Sequence, residues 1–281
     1  MGAARRPGPT TRRSVEVAQA GDVVRRFDTV VTEEPLEVRL AWPGRPARRV
    51  AVVMRTPGSD FELACGFLLT EGVLGLAESP RRVAYCTDEE LTAEEAFNVV
   101  TVELASPPPR EPAVRFTTVS AACGVCGTES IADVAGRDFA PIAVTGSLEA
   151  KQLLLLPDDL RQHQALFAAT GAIHAAGVFS LGGDLVVARE DVGRHNAVDK
   201  VLGARTLGRA SYDECSVLCV SGRVGFDIVT KAVAGRVGIV VAVGGPSSLA
   251  LRLADEAGVT VVGFTRGDRF VVYTHPDRIR V

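Results

Sequence analysis

The chain has 281 residues, 47% hydrophobic and 23% charged, and its 31 Lys+Arg against 34 Asp+Glu leave a formal net charge of −3. At roughly 100–200 residues per domain, that is one large domain or two small ones with ample chain for a core, and the composition excludes a wholly disordered, collagen-like or coiled-coil protein. The near-neutral balance argues against nucleic acid as a partner. Only Lys151, Lys200 and Lys231 are lysines; codon bias is the plainer reading of the Arg excess, and Arg-based phosphate recognition is the alternative.

The first residues, Met1 to Arg13, are rich in Arg, Pro, Gly and Thr and lack the apolar run of a secretory signal. The pair Arg12-Arg13 leads to Gln19, Gly21 and Asp22, not to a hydrophobic segment. Residues 1–27 are therefore expected to form a disordered Arg-rich tail on a cytoplasmic protein with no membrane partner. The uncharged stretch Gln162 to Gly183 carries Gln, His and Gly residues and fits a buried helix-and-strand segment better than a membrane span.

Strand patterns occupy Thr29–Leu40 and Arg49–Met54. The turn Thr56-Pro57-Gly58-Ser59-Asp60 opens a helix marked by Phe61, Leu63, Ala64, Phe67 and Leu68, stopping near Gly72. Arg82–Cys86 and Phe97–Leu104 resume strand character, and the Pro-rich run Ser106 to Pro112 reads as a linker. Ala121 to Ser130, with Gly beside two thiols, is expected to be a mobile loop. Pro157-Asp158-Asp159-Leu160 opens a helix reaching about Thr170. Beyond it, strands at Asp184–Ala188, Cys215–Ser221, Ile239–Val243, Val259–Phe264 and Phe270–Tyr273 alternate with helices at Asn196–Leu207, Phe226–Ala234 and Ser247–Ala257. This is an α/β pattern, a mostly parallel sheet covered by helices on both faces.

Six cysteines, Cys65, Cys86, Cys123, Cys126, Cys215 and Cys219, are too sparse for a disulfide scaffold. Cys65, Cys86, Cys215 and Cys219 read as packing residues. The segment Cys123-Gly124-Val125-Cys126-Gly127 is the sharpest chemical feature. Structural zinc needs two further ligands, and Cys215 and Cys219, on one face of a strand, would lie about 13 Å apart. A dithiol exchanger wants its Cys pair at a helix start, where the thiol pKa falls, and no clear helix follows Gly127. A sulfur relay suits a flexible loop, since a persulfide must reach first a donor and then an acceptor. A purely structural loop is the fourth possibility. A deaminase zinc site also needs His-x-Glu, which does not occur, so that chemistry is rejected.

Three turns fall at expected carboxyl ends of strands, where open α/β sheets bind ligands. Ser221–Asp227 and Gly244–Ser248 are glycine-bearing strand-to-helix turns, able to cradle a phosphate or simply to pack. Phe264-Thr265-Arg266-Gly267-Asp268-Arg269 adds two guanidinium groups and a carboxylate that could read a guanine edge. The polar run Arg189 to Lys200 is read as a capped helix start, with His195 near a carboxylate as a possible proton shuttle. His174 is read as a core histidine.

Taken in order, Cys123–Gly127, Thr170–His174, Glu190–Lys200, Ser221–Arg223 and Gly263–Arg269 resemble the FdhD family of formate dehydrogenase accessory sulfur carriers. The resemblance runs from about Asp28 to the end of the chain. It implies a small N-terminal α+β domain over 28–115 and a C-terminal cytidine-deaminase-like domain over 116–281 without catalytic zinc or any structural metal. It implies a sulfurtransferase that takes persulfide sulfur from a cysteine desulfurase to the molybdenum bis(molybdopterin guanine dinucleotide) cofactor for the formate dehydrogenase catalytic subunit, and a homodimer. Cys123 maps to the persulfide position, with Cys126 as an auxiliary thiol, and Phe264, Thr265, Arg266, Gly267, Asp268 and Arg269 map to the cofactor-binding stretch. Val271 departs from the family pattern, where Asn is expected. Rival readings are a cofactor-binding chaperone without sulfur carriage and a dithiol redox enzyme.

Overall fold

The structure, a computed structural model, describes residues 6–86, 92, 96–111, 118–119, 141–213 and 216–281. Cys123, Cys126 and Cys215 lie outside the described residues, as does the loop expected around the first two.

The expected disordered tail over 1–27 is, from residue 10, one arm and most of the other of a hairpin. Strands β1 (Thr10–Gln19) and β2 (Asp22–Val31) pair antiparallel from Thr10↔Val31 to Gln19↔Asp22. Ala20 and Gly21 join them with φ of 51° and 95°, the left-handed pair that a tight hairpin turn requires. The charged residues on both strands mask this turn signal in the sequence.

The expected strand Thr29–Leu40 is two strands in separate sheets. After β2 the chain passes Thr32-Glu33 and begins β3 (Glu34–Trp42), which pairs antiparallel with β4 (Arg45–Arg55). Helix α1 (Asp60–Thr70) follows, then β5 (Arg82–Tyr85), β6 (Val99–Glu103) and β7 (Thr118–Val119), giving a sheet of order β5-β6-β3-β4-β7. Along β3 the side chains of Leu36, Val38, Leu40 and Trp42 are buried, the period-two signature of a strand with one face on the core.

The helix expected from Pro157 begins earlier and breaks before Thr170. Strand β8 (Leu148–Glu149) leads directly into α2 (Ala150–Gln162), which contains Pro157, and a separate short helix α3 (Ala165–Thr170) follows. Leu153, Leu156 and Leu160 form the buried stripe of α2, which begins before the proline that looked like a start signal.

The remaining chain runs β9 (His174–Phe179), β10 (Leu185–Asp191), α4 (Arg194–Thr206), β11 (Val217–Val220), α5 (Phe226–Ala234), β12 (Ile239–Ala242), α6 (Ser248–Ala257), β13 (Thr260–Arg266) and β14 (Arg269–Val272). The final strand, β15 (Ile279–Arg280), pairs with β8. The six-stranded sheet has the order β10-β9-β11-β12-β13-β14. It is mixed, not mostly parallel: only β11–β12 and β12–β13 are parallel, while β10–β9, β9–β11 and β13–β14 are antiparallel. The two helical crossovers, α5 and α6, force the parallel pairs, and short turns at Gly183 and Gly267 force the outer antiparallel hairpins.

One face of this sheet packs on α2 through Leu153, Leu156, Leu160, Phe179 and Val241. The other packs in a core that includes α1, α4, α5, α6 and the first lobe's Leu36, Val38 and Val53. That core runs across the boundary expected between 28–115 and 116–281. The closest junction is the crossing of α1 over α4, where a Cβ on Gly66 would stand 2.6 Å from the carbonyl carbon of Asp199, and one on Gly203 would stand 2.8 Å from the nitrogen of Gly66. Only glycine lets the two backbones meet there.

Candidate functional site

A cavity of about 550 Å³ lies between α2, α3 and the carboxyl ends of β11, β12 and β13. Its volume is in the range of small-molecule and cofactor sites. The sheet supplies Ser221, Val243, Thr265, Arg266 and Gly267, and the helical wall supplies Leu154, Leu160, Gln164 and Phe167. His174, at the start of β9, completes the floor.

The two glycine turns interlock at this end of the sheet. Gly244 N donates to Gly222 O at 3.1 Å, Val224 N donates to Gly245 O at 3.2 Å, and Val224 and Pro246 form a parallel bridge. A Cβ on Gly244 would sit 2.9 Å from Gly222 O, and one on Gly245 would sit 2.9 Å from Cε2 of Phe264. Gly244 and Gly245 thus serve close packing of turn on turn and ring on turn.

The stretch 264–269 divides its side chains. Phe264, half exposed, has φ of 53° and stands at an irregularity in the β13–β14 register, and such a bulge re-aims the residues beside it. Phe264 lies over Gly245, while Thr265 turns inward with 1% exposure and lines the cavity beside Arg266 and Gly267. Arg266 and Arg269 pair across the hairpin. Asp268 and Arg269 are exposed on the turn and are not among the cavity's lining residues. Val271, where the family pattern suggested Asn, is half-buried on β14 opposite Gly263.

The polar run Glu190–Lys200 is architectural to a degree that sequence reading understated. The Asp191 carboxylate is fully buried and accepts from Gly193 N at 2.8 Å, Asn196 Nδ2 at 2.8 Å and Thr56 N at 3.1 Å, with Lys200 Nζ at 2.7 Å. Lys200 Nζ also donates to Thr56 O at 3.0 Å and Glu190 O at 3.2 Å. Asn196 Nδ2 donates to Met54 O at 2.7 Å. With Val192 N donating to Thr56 Oγ1 at 3.1 Å, four residues of the run therefore fasten the end of β4 to the second sheet. Asp199 is likewise buried, held by Lys231 Nζ at 2.7 and 2.8 Å and by Thr70 Oγ1 at 3.1 Å. Glu190 turns the other way: its carboxylate accepts from Leu166 N at 2.9 Å and Phe167 N at 2.8 Å. It caps α3 in place of Gln164, whose side chain makes no capping bond.

His195, expected near a carboxylate, has Nε2 against Asp227 Oδ2, with Arg194 Nε 3.7 Å from the same oxygen. Burial pushes the Asp227 carboxyl up, but His195 and Arg194 outweigh it and hold it below the usual range. His174 is half-buried, and burial, reinforced by the charge of Arg194, pushes its pKa down. Its neutral ring therefore offers the cavity one donor and one acceptor.

Among the described thiols, Cys65 and Cys219 are fully buried. Burial pushes the Cys65 pKa up to about 12 and raises that of Cys219 as well. Both are inert packing residues. Cys86 is half-buried, with Arg39 Nη1 3.6 Å from its sulfur. Among the described residues no group of three or more His, Cys, Asp or Glu is placed to hold a metal ion, and no helix is long and apolar enough to cross a membrane.

Sequence reasoning did not single out Gln164 or Arg161. The only signal for Gln164 is a polar residue buried at a helix break inside an uncharged stretch, visible once the break itself is known, and the exposed Arg161 carries none.

The fold and site define an α/β protein with a ligand cavity over the carboxyl ends of its central strands. A crystal structure given as a candidate formate dehydrogenase accessory protein from Desulfotalea psychrophila superposes with a TM-score of 0.76 at 28% identity, covering 96% of this chain and 99% of that one. A family model described as the FdhD/NarQ family matches residues 31–280, so the chain belongs to that family. The sulfur carrier protein FdhD of Mycolicibacterium paratuberculosis is 43% identical over 96% of this chain and 98% of its own. Its namesake from Streptomyces coelicolor is 45% identical over 96% and 95%.

Proposed function

We propose that the protein is a sulfur carrier required for formate dehydrogenase activity, receiving sulfur from a cysteine desulfurase and delivering it to a molybdenum bis(molybdopterin guanine dinucleotide) substrate, as a homodimer on a cytidine-deaminase-like scaffold. The observation that carries this reading is the family membership together with the cavity: of the family's binding stretch, the buried Thr265 and the exposed Arg266 and Gly267 line a space of about 550 Å³. Apolar walls with a few convergent polar groups and an Arg suit a nucleotide-bearing ligand.

Cys123 carries the sulfur. Its thiolate attacks the outer sulfur of the desulfurase persulfide; a new S–S bond forms to Cys123, the old one breaks, and the desulfurase cysteine leaves as a thiolate, so the exchange needs no oxidant. Cys126 is an auxiliary thiol in the same segment. The raised pKa values of Cys65 and Cys219 support the assignment, because neither buried thiol supplies a thiolate near neutral pH.

Intact-mass spectrometry after incubation with desulfurase and cysteine tests this. The wild type should gain one sulfur atom, removable by reductant, and Cys123→Ala should not. A rapid internal disulfide without sulfur uptake would instead make the protein a dithiol redox enzyme. For the binding stretch, Arg266→Ala with Arg269→Ala should weaken GDP binding and spare sulfur loading.

A further inference from the structure

Two side chains at the cavity each leave one polar atom without a hydrogen-bond partner among the described residues, although both residues are more than nine-tenths buried. Gln164, 4% exposed, has an unpartnered Nε2, and Thr265, 1% exposed, has an unpartnered Oγ1. Both line the same cavity. A buried polar atom left without a partner costs on the order of 1–3 kcal/mol, and in a site such atoms mark where a ligand's polar groups belong.

The orientation of the Gln164 amide is determined by its neighbour. Arg161 Nη1 donates to Gln164 Oε1 at 3.4 Å, and a guanidinium has only donors, so the amide oxygen must face it. The Arg161 guanidinium is itself held over the Phe167 ring, 3.6 Å from the centroid. Glu190 caps α3, which leaves the Gln164 side chain free of that task. What remains for the cavity is an NH2 group, a donor and nothing else.

We propose that Gln164, oriented by Arg161, reads the carbonyl oxygen of a 6-oxopurine base in this cavity, with Thr265 Oγ1 as the second polar contact, and so sets specificity for guanine over adenine nucleotides. A base carrying an oxo group accepts from the amide. A 6-aminopurine brings a donor to a donor and leaves Gln164 unpaired. The proposal rests on the reading of the cavity as the seat of a guanine-nucleotide ligand, and it assigns base selection to the helical wall, away from the exposed Asp268 on the hairpin.

Titration calorimetry of the full chain with GDP, IDP and ADP tests it, because these ligands share the diphosphate and differ in the base. GDP and IDP should bind alike and at least about tenfold more tightly than ADP. Gln164→Leu should erase most of that preference by weakening GDP and IDP while leaving ADP unchanged. Arg161→Ala, at an exposed residue, should also reduce the preference by freeing the amide to rotate. An unchanged GDP-to-ADP ratio in Gln164→Leu, or IDP binding as weakly as ADP, overturns the assignment. If Arg266→Ala still weakens all three ligands equally in that case, the nucleotide site itself stands. Absence of binding by any of the three would remove both readings.

Discussion

Replacing Glu190 by glutamine tests whether the polar run Glu190–Lys200 holds the cavity wall. The carboxylate accepts from two consecutive amides at the start of α3, Leu166 N at 2.9 Å and Phe167 N at 2.8 Å. A glutamine keeps one acceptor oxygen, loses the charge, and turns an NH2 group toward one of the two amides. Hydrogen bonds to charged groups contribute about 1.5–3 kcal/mol each, so the local loss should be about 2 kcal/mol. Helix α3 spans only Ala165–Thr170, far below the length at which a helix persists alone, and it has no reserve against that loss. At 1.4 kcal/mol per factor of ten, amide exchange at Ala168 and Ala169 should accelerate about thirtyfold. GDP affinity should fall by a similar or smaller factor, because Phe167 and Gln164 line the site. The main chain of Glu190 still accepts from Lys200, so exchange in β9 and β11 should stay slow. Hydrogen exchange with mass readout on wild type and variant separates these. Equal protection of α3 in the two proteins would show that the carboxylate does not hold this wall, and the reasoning would fail.

Gly66→Ala and Gly203→Ala each raise intrinsic helix propensity, yet each should destabilise by about 3 kcal/mol through forced separation of α1 and α4, with the double variant costing less than the sum. Urea midpoints at constant slope check this, and a neutral single variant would refute it. For Glu62, burial pushes the carboxyl up, but Arg189 and Arg209 outweigh it and hold the group below its usual 4.5. Its contribution is therefore complete above the usual value and disappears as pH falls through the lower folded value. The stability gap between wild type and Glu62→Gln should be about 2 kcal/mol near neutrality, discounted because both arginines are partly exposed, and should close in acid. A gap that persists in acid would contradict the assignment. Native-state alkylation should leave Cys65 and Cys219 unmodified until the protein unfolds, which peptide mapping can verify.

The second sheet was largely legible because its strands are short Val/Ile runs and its helices carry strong periodicity; Phe226–Ala234 is found at the bounds the pattern gives. Strand direction was not legible. Local pattern does not encode whether a neighbour runs parallel, and β9, the strand that makes two antiparallel pairings, sits in an Ala- and Gly-rich stretch with little periodicity. The hairpin β1–β2 is masked in the sequence because Val23 and Phe27 fall on one face of β2 and Val24 on the other, each among charged residues, so neither face carries a consistent apolar alternation. The sequence singles out 264–269 as one stretch, but the separation of the cavity-lining Thr265, Arg266 and Gly267 from Asp268 and Arg269 depends on an irregularity between Gly263 and Arg266 that no residue type announces. Gln164 was invisible because its burial at the cavity comes from the break between α2 and α3.

The adjacency of Glu190 and Asp191 joins the two lobes to the cavity. Consecutive residues on a strand point to opposite faces, and β10 is an edge strand of its sheet. On one face Glu190 holds α3 and through it the helical wall of the cavity. On the other, Asp191 holds Thr56 of the first lobe together with Asn196 and Lys200 of α4. Lys200 then returns to the main chain of Glu190 while also holding Thr56 O. A displacement of the first lobe relative to the second must therefore strain either a fully buried carboxylate or the strand whose next side chain caps the cavity wall. Because the charge of Asp191 is buried, removing one partner leaves an uncompensated ion, so the network favours a single lobe arrangement. Conservative changes at Thr56, far from the cavity in sequence, should accordingly alter ligand affinity, whereas changes on the exposed β1–β2 hairpin should not.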